Sequence, residues 1–350
     1  MNPLFRITNA IARNLTHIER ARGFLDAAKL SEEWIAGMQR RALVLEAHHT
    51  THIEGTHLTL DQSERVLAGE KPAGVGADDA QEVANYREAF ELVSDYLGRG
   101  DPITEGLVRE IHKRLVQGVR GNAAAPGEYR LVQNYVANSL TKEIIYTPPG
   151  PMDVPPLMAE FVAWMNAEQE IHPILVAGVS QFQLVHIHPF LDGNGRTARL
   201  LSMLCLYRTG YDFKRLFTLS EYYDRDRSIY YRAIQSVRER GMDLTDWLEY
   251  FTIGLSSQLA EVQKKGESLI RVDLLTNEHK LTARQRVALE LAGDGPFRIE
   301  DFAARCPGVH RRSLQRDLRA LIEKQLLVSE GATNLVSYRL FGESSELATN

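Results

Sequence analysis

Two apolar stretches of helical spacing, residues 174–185 and 200–206, flank a polar run, His188-Pro189-Phe190-Leu191-Asp192-Gly193-Asn194-Gly195-Arg196-Thr197-Ala198-Arg199. Segments this apolar are expected to be buried helices, with the polar run held between them as a loop. The loop's composition narrows its chemistry. Gly193, Asn194 and Gly195 fall where the helix opening near Arg196 leaves its first N–H groups without partners, and unhindered N–H groups at a helix start suit a phosphate. Arg196 and Arg199 are three apart, so both project from one face of the first turn, where guanidinium forks match phosphate oxygens. Asp192 beside this positive nest would repel phosphate unless a cation intervened, which points to Mg²⁺ held by the carboxylate and the phosphates together. His188, with an ordinary pKa near ~6.5, supplies a general base. Each part alone has a plainer reading: a capping histidine, a turn, surface ion pairs. In this order and between apolar helices, they describe a polyphosphate cradle with a base beside it.

Composition bounds the setting. The 350 residues exceed the roughly 250–300 at which single cores stop growing, so two or three units are expected. A hydrophobic share of 44% and a charged share of 25% are ordinary for a soluble globular protein. The net charge of −5 gives no global argument for nucleic-acid or membrane binding. Residues 281–340 differ, with ten Lys/Arg against seven Asp/Glu for +3, leaving −8 elsewhere. Cys205 and Cys306 fall in separate expected domains, which argues against a disulfide framework and for a reducing cytosol. The start, Met1-Asn2-Pro3-Leu4-Phe5-Arg6, has no signal-peptide core, and no apolar run reaches the roughly 18 residues of a membrane span. A soluble cytoplasmic protein with no membrane partner is expected.

Residues 30–119 read as helices. Tyr86, Phe90, Val93 and Leu97, then Leu107, Val108, Ile111 and Leu115, recur on single faces. Thr59 with Gln62 forms a capping box, and Gly55 suits a C-cap. Residues 121–151 break the pattern: Pro126-Gly127 and Pro148-Pro149-Gly150 bracket a β-rich stretch. Tyr135-Val136 and Ile144-Ile145-Tyr146 predict a hairpin turning through Asn138-Ser139-Leu140-Thr141-Lys142. Helices resume at Leu157 and run to about Val262, and the charged stretch 264–280 reads as linking. Beyond it, helices over 282–292, 299–306 and 311–325 precede Leu326-Leu327-Val328 and Leu335-Val336-Ser337-Tyr338-Arg339 around a turn at Gly331. That order predicts a winged helix-turn-helix. The domain reading is an N-terminal helical region over 1–115, a core carrying the loop over 116–262, a linker over 263–280 and the winged helix over 281–345.

Position by position, the loop matches the signature of the Fic-domain family, His-x-Phe-x-Asp/Glu-Gly-Asn-Gly-Arg-x-x-Arg, and roughly residues 30–255 resemble that family. Gly127-Glu128-Tyr129-Arg130 through Pro148-Pro149 resembles its flap, and Ser220-Glu221-Tyr222 with Tyr230-Tyr231 resembles the segment behind its nucleotide pocket. The resemblance implies a mainly α Fic fold with a β-hairpin flap. It also implies transfer of AMP from ATP to a Tyr, Thr or Ser hydroxyl of a target protein or of the chain itself. His188 would deprotonate the hydroxyl, and Asp192 would hold Mg²⁺. Asn194 and the N–H groups of Gly193 and Gly195 would surround the α-phosphate region, Arg196 and Arg199 the outer phosphates, and Thr197 would also bind the nucleotide. Phe190 would anchor the loop. Ile145, Tyr230 and Tyr231 would border the nucleotide, and the target would dock on the flap over 133–147. A homodimer is left open.

Thr50-Thr51-His52-Ile53-Glu54-Gly55 fits the family's inhibitory pattern, Ser/Thr-x-x-x-Glu-Gly/Asn. One glutamate near a helix end could pair bidentately with Arg199 and put negative charge where the γ-phosphate belongs. ATP would then bind with its α-phosphate poorly oriented. Thr50 completes the pattern. In some relatives this glutamate also helps water remove AMP, so reversal stays open. His48 and His52 are i,i+4 and could share a metal, but no Cys or further carboxylate joins them apart from Glu54. In the C-terminal region, Arg311, Arg312, Arg316 and Arg319 cluster on the third helix, in a segment that resembles winged-helix DNA readers, with Leu314, Leu318, Leu321 and Ile322 as its core face. A charge of +3 is weak for a DNA binder, so DNA binding by 281–345 and docking or dimerisation both stay open. Two rivals accompany AMP transfer: a nucleotide-sensing DNA-binding regulator, and a Fic enzyme moving another nucleotide or phosphate group. His188 favours the enzyme, and the unaltered Gly193-Asn194-Gly195-Arg196 favours AMP.

Overall fold

Helices form where the apolar spacing places them, and the computed structural model describes residues 1–97, 101–137, 141, 143–168, 170–331 and 336–342. The chain divides into two units, Met1–Asp26 with Glu33–Ala260, and Ala27–Glu32 with the chain from Glu261 on. The first holds helices α1 (Asn9–Ala27), α2 (Glu32–Ile53), α3 (Leu60–Leu67), α4 (Ala77–Leu97) and α5 (Glu105–Val116). After the hairpin of β1 (Val136–Ala137) and β2 (Ile144–Tyr146) come α6 (Val154–Asn166), α7 (Pro173–Ile187), α8 (Asn194–Arg208), α9 (Ser220–Arg225) and α10 (Arg227–Glu239). The first turns of α11 (Thr245–Glu278) complete this unit.

α7 and α8 are the two apolar stretches. They pack on each other at the centre, with α6 against α7 and both α4 and α5 against α8. Trp247 of α11 donates its indole N–H to Gly178 O of α7 (2.8 Å), and a Cβ on Gly178 would meet Leu248 Cδ2 at 2.8 Å, so glycine sets how closely α11 approaches. The expected capping box is present, with Gln62 N–H donating to Thr59 Oγ1 and Thr59 N–H to Gln62 Oε1. α6 begins at Val154, three residues before the predicted Leu157, because Pro155 and Pro156 occupy a first turn that lacks N–H acceptors anyway. The strands are antiparallel, Val136 opposite Tyr146 and Ala137 opposite Ile144 with an irregularity between them. Of the predicted turn, Asn138, Ser139, Leu140 and Lys142 lie outside the described residues. No helix among the described residues is long and apolar enough to cross a membrane.

In the second unit, residues 264–278, read as linking, are helical and belong to α11. There follow α12 (Ala283–Asp294), capped by Thr282 and Gln285, then β3 (Phe297–Arg298), α13 (Ile299–Arg305), α14 (Arg311–Glu323), β4 (Leu327–Glu330) and β5 (Ser337–Leu340). The sheet is antiparallel in the order β3-β5-β4, so a third, two-residue strand joins the two that were expected. Leu289, Phe302, Leu314, Leu318 and Leu321 fill its core. Leu335 lies outside the described residues.

Candidate active site

α7 stops at His188, whose backbone is left-handed (φ 52°, ψ 56°) and whose N–H closes the helix on Leu184 O. Nδ1 of the imidazole lies 3.2 Å from Val185 O. A carbonyl can only accept, so Nδ1 carries the proton and Nε2 holds the free lone pair. Burial lowers the His188 pKa to about 4, with Arg238 and Arg130 adding to the effect and Val185 O opposing it. The ring is therefore a neutral base at physiological pH.

The loop beyond it is closed on itself. Asn194 accepts from Phe190 N–H through Oδ1 and donates to Phe190 O through Nδ2, both at 2.9 Å. Phe190 is fully buried and stacks on His112 of α5, ring centroids 3.7 Å apart and planes 3° from parallel. His112 Nδ1 accepts from Gly127 N–H and Nε2 donates to Asp192 O, both at 3.0 Å, so one neutral imidazole ties α5, the flap and the loop together. Burial lowers its pKa to about 4 as well. Gly193 opens α8 in the left-handed region (φ 75°), where a Cβ would lie 2.7 Å from Val116 Cγ1. Thr197 is turned inward, its hydroxyl on Gly193 O.

The two arginines have different partners. Arg196 is buried and donates to Glu82 Oε2 of α4 (2.7 Å), itself buried, with Asp192 Oδ1 3.9 Å from its Nη2. Arg199 faces α2: Nε donates to Thr50 Oγ1 (2.8 Å), and Nη2 donates to Thr50 O (2.9 Å) and Glu54 Oε1 (2.7 Å). Tyr230, buried, lies 3.5 Å from Nη1. Burial alone would lower the Arg199 pKa, but Glu54 and Tyr230 override it and hold the proton more firmly than usual. Spacing put both side chains on one face of the first turn; the structure instead turns Arg196 to α4 and Arg199 to α2.

Glu54 follows the last residue of α2, in a turn ended by Gly55 at φ 108°. Its carboxylate stands so close to Gly195 that an added methyl there would overlap it. An anion thus already occupies the start of α8, where the helix dipole and unpaired N–H groups favour negative charge. Tyr231 is half exposed, with its hydroxyl 3.5 Å from Ile53 O beside the same turn. Asp192 is also half exposed (48%). Among the described residues no three His, Cys, Asp or Glu side chains gather as a metal cluster. One oxygen donor beside a phosphate cradle fits a hard ion such as Mg²⁺, which takes its other ligands from substrate and water.

The flap is fixed to the loop by Arg130, buried among backbone acceptors. Nε donates to His188 O (2.8 Å), Nη1 to Val132 O (3.2 Å) and Nη2 to Pro149 O, while Arg130 N–H donates to Pro189 O (2.9 Å). Asn134 Nδ2 adds a bond to Phe190 O. Ile145 is exposed on β2, next to Tyr146, whose hydroxyl meets His186. Sequence reasoning missed the roles of His112, Arg130, Asn134 and Glu82. For His112 and Glu82 the signal was present: each is a polar residue on an otherwise apolar helical face, which requires a buried partner. The histidines of α2 bind protein groups. His49 and His52 place Nδ1 at 2.8 and 2.7 Å from Asp224 Oδ2, and His48 lies 3.0 Å from Ser63 Oγ.

Residues 102–206 match the sequence model of the Fic/DOC family, and residues 26–95 match that of its N-terminal region. The chain belongs to the Fic/DOC family. A protein adenylyltransferase Fic of Culex quinquefasciatus is 31% identical over 248 residues, 67% of this chain and 48% of that protein. One of Drosophila grimshawi is 33% identical over 202 residues, 57% of this chain and 40% of that protein. The chain thus spans less than half the length of these curated relatives. Among solved structures, a Fic family protein of Desulfovibrio desulfuricans superposes with a TM-score of 0.65 at 22% identity, over 98% of this chain and 99% of the other. Fic-1 of C. elegans does so with a TM-score of 0.61 at 26% identity, over 75% and 73%. The architecture is the mainly helical Fic fold with a small hairpin and a small C-terminal sheet.

Proposed function

We propose that the chain is a protein adenylyltransferase that moves AMP from ATP to a hydroxyl side chain and is held inactive by Glu54. The observation that carries the reading is the 2.7 Å pairing of Glu54 with Arg199 at the mouth of the α8 cradle, beside a histidine whose Nε2 is free to accept a proton. His188 takes the proton of the incoming hydroxyl. The oxygen attacks the α-phosphorus, and the bond to the bridging oxygen breaks to release pyrophosphate. The N–H groups at the start of α8 receive phosphate oxygens as charge moves onto the leaving group. Arg199, released from Glu54, holds the outer phosphates. Asp192 would hold Mg²⁺, which when bound supplies counter-charge to the polyphosphate.

Two assignments change their chemical content. Arg196 serves the cradle from behind, held by Glu82, and Asn194 serves it by shaping the loop; its phosphate contacts would come from backbone. Ile145, Tyr230 and Tyr231 remain the pocket's border. The flap over 133–147, on which Tyr135, Ile144 and Ile145 are exposed, receives the target chain. The C-terminal unit we read as a winged helix whose α14 presents Arg312, Arg316 and Arg319 on an exposed face. The modest charge favours docking of a protein over DNA.

Labelled ATP and Mg²⁺ incubated with wild type, Glu54→Gly and Glu54→Gly/His188→Ala test the reading. Strong incorporation is expected only in the second, with wild type about tenfold or more below it. Equal labelling of wild type and Glu54→Gly sinks the brake, and labelling of the double variant sinks the base.

A further inference from the structure

The last turn of α2 is held on two sides. Thr50 and Glu54 face Arg199 of α8. His49 and His52 lie roughly 150° around the helix from them, at ~100° per residue, and face α9 and α10 instead. Ile53, between the two faces, is buried. A helical turn gripped in this way moves as one body, so what holds His49 and His52 also holds Glu54.

Asp224 of α9 gathers three donors. Its Oδ2 accepts from His49 Nδ1 (2.8 Å) and His52 Nδ1 (2.7 Å), and its Oδ1 accepts from Arg227 Nε of α10 (2.7 Å). A carboxylate can only accept, so both imidazoles carry a proton on Nδ1. Burial alone would raise the Asp224 pKa, but the bonds from His49, His52 and Arg227 hold it at about 2, and the acceptor stays charged. Arg227 Nη2 also lies against His52 Nδ1, donor on donor, so the shared carboxylate keeps together two groups that would otherwise part. The receiving side is fixed, because Asp226 caps α10 by accepting from the N–H groups of Ser228 and Ile229 (3.0 Å each).

The two grips differ in reach. On the inner side Thr50 and Arg199 are buried. On the outer side His52 is 40% and Arg227 34% exposed, next to half-exposed Tyr231, whose hydroxyl lies 3.5 Å from Ile53 O.

We propose that Asp224 is a positioning residue for the brake: it holds the last turn of α2 from the surface side, and loss of that hold releases Glu54 from Arg199. This role rests on the reading of Glu54 as a brake. Both grips act on one equilibrium between seated and released α2, so weakening the outer one enlarges the released population although Glu54 and Arg199 are untouched.

AMP incorporation by wild type, Asp224→Ala, Glu54→Gly and Glu54→Gly/Asp224→Ala tests the assignment, with thermal melting checking that each protein folds. Asp224→Ala should raise incorporation about threefold to tenfold over wild type. In the Glu54→Gly background it should change neither the rate nor the KM for ATP, because no brake remains to be positioned. Asp224→Asn, which keeps one acceptor oxygen, should fall between wild type and Asp224→Ala. No rise over wild type, or an equal rise in both backgrounds, overturns the proposal. Should Asp224→Ala fail to fold, His49→Ala removes a single donor and should raise incorporation by a smaller factor; no rise there is equally fatal. Amide hydrogen exchange over residues 46–54 reads the hold without reference to activity, and should quicken in Asp224→Ala and His49→Ala; exchange as slow as in wild type overturns the proposal. If Glu54→Gly incorporates no AMP at all, the transferase reading fails while hydrogen exchange still decides whether Asp224 holds α2.

Discussion

The Glu54 carboxylate lies 2.7 Å from Arg199 Nη2 and directly against Gly195, so one side chain both neutralises the guanidinium and fills the head of the helix that would receive phosphate. Thr50 supports the same arginine twice, through its hydroxyl and its carbonyl. The strength of the closure is therefore divisible.

Thr50→Val should release it partly. Loss of the hydroxyl leaves Arg199 Nε without an acceptor, while Glu54 and the Thr50 carbonyl remain. AMP incorporation is expected to rise in the order wild type, Thr50→Val, Glu54→Gly, with the last about tenfold or more above the first. Thr50→Ser should match wild type. A Thr50→Val protein as active as Glu54→Gly would place the whole restraint in the hydroxyl.

Gly195→Ala should change sign with its neighbour. In wild type the new methyl overlaps the Glu54 carboxylate, and overpacking of this kind costs about 1–3 kcal/mol. In the Glu54→Gly background the remaining close neighbour is Arg199 Nη1 at 3.2 Å, and alanine's helix preference should stabilise by roughly 0.5–1 kcal/mol. Urea titrations of the four proteins measure the coupling. Additive effects would mean that the carboxylate does not stand against Gly195 in solution.

Glu82→Ala should be far more damaging than an exposed charge deletion. It strands Arg196, 3% exposed, in the core, at about 3–5 kcal/mol. Arg196→Ala should likewise lower Tm. If either variant melts like wild type, Arg196 reaches solvent or ligand and is not held by α4.

The histidines set a pH dependence. His48, His112, His186 and His188 have pKa values lowered from 6.5 to about 4, in each case chiefly by burial. Folded-state values below the unfolded ones mean the unfolded chain binds more protons between the two. Their contribution to stability is complete above pH 6.5 and is lost as pH falls through 6.5 toward 4. Tm should therefore decline across that window. Glu54→Gly incorporation should show no inflection near 6.5, because His188 stays unprotonated until pH approaches 4. A rate that halves at pH 6.5 would mean the imidazole is solvated.

The sequence made the loop legible because its internal bonds are local: Asn194 closes on Phe190 and Thr197 on Gly193, four positions away in each case. The same holds for the Thr59–Gln62 capping box, which the structure carries as read. What escaped depends on elements distant in the chain. Nothing near Arg196 names Glu82 as its partner, and nothing near His112 tells that its ring lies on Phe190. The charged run 264–278 looked like a connector because its polar residues mask Val272, which is buried in the second unit's core. The third strand escaped because two residues, Phe297 and Arg298, are too few to show alternation.

The reciprocal amide bonds between Asn194 and the Phe190 peptide mean that the loop's geometry is complete as soon as the chain has folded. An arriving nucleotide would meet a loop that needs no rearrangement of its own, so the loop adds little ordering entropy to the cost of binding. The timing of reaction would then fall to the slower departure of α2's end. That separates recognition from permission: a change in the loop alters what is bound, and a change in α2 alters when.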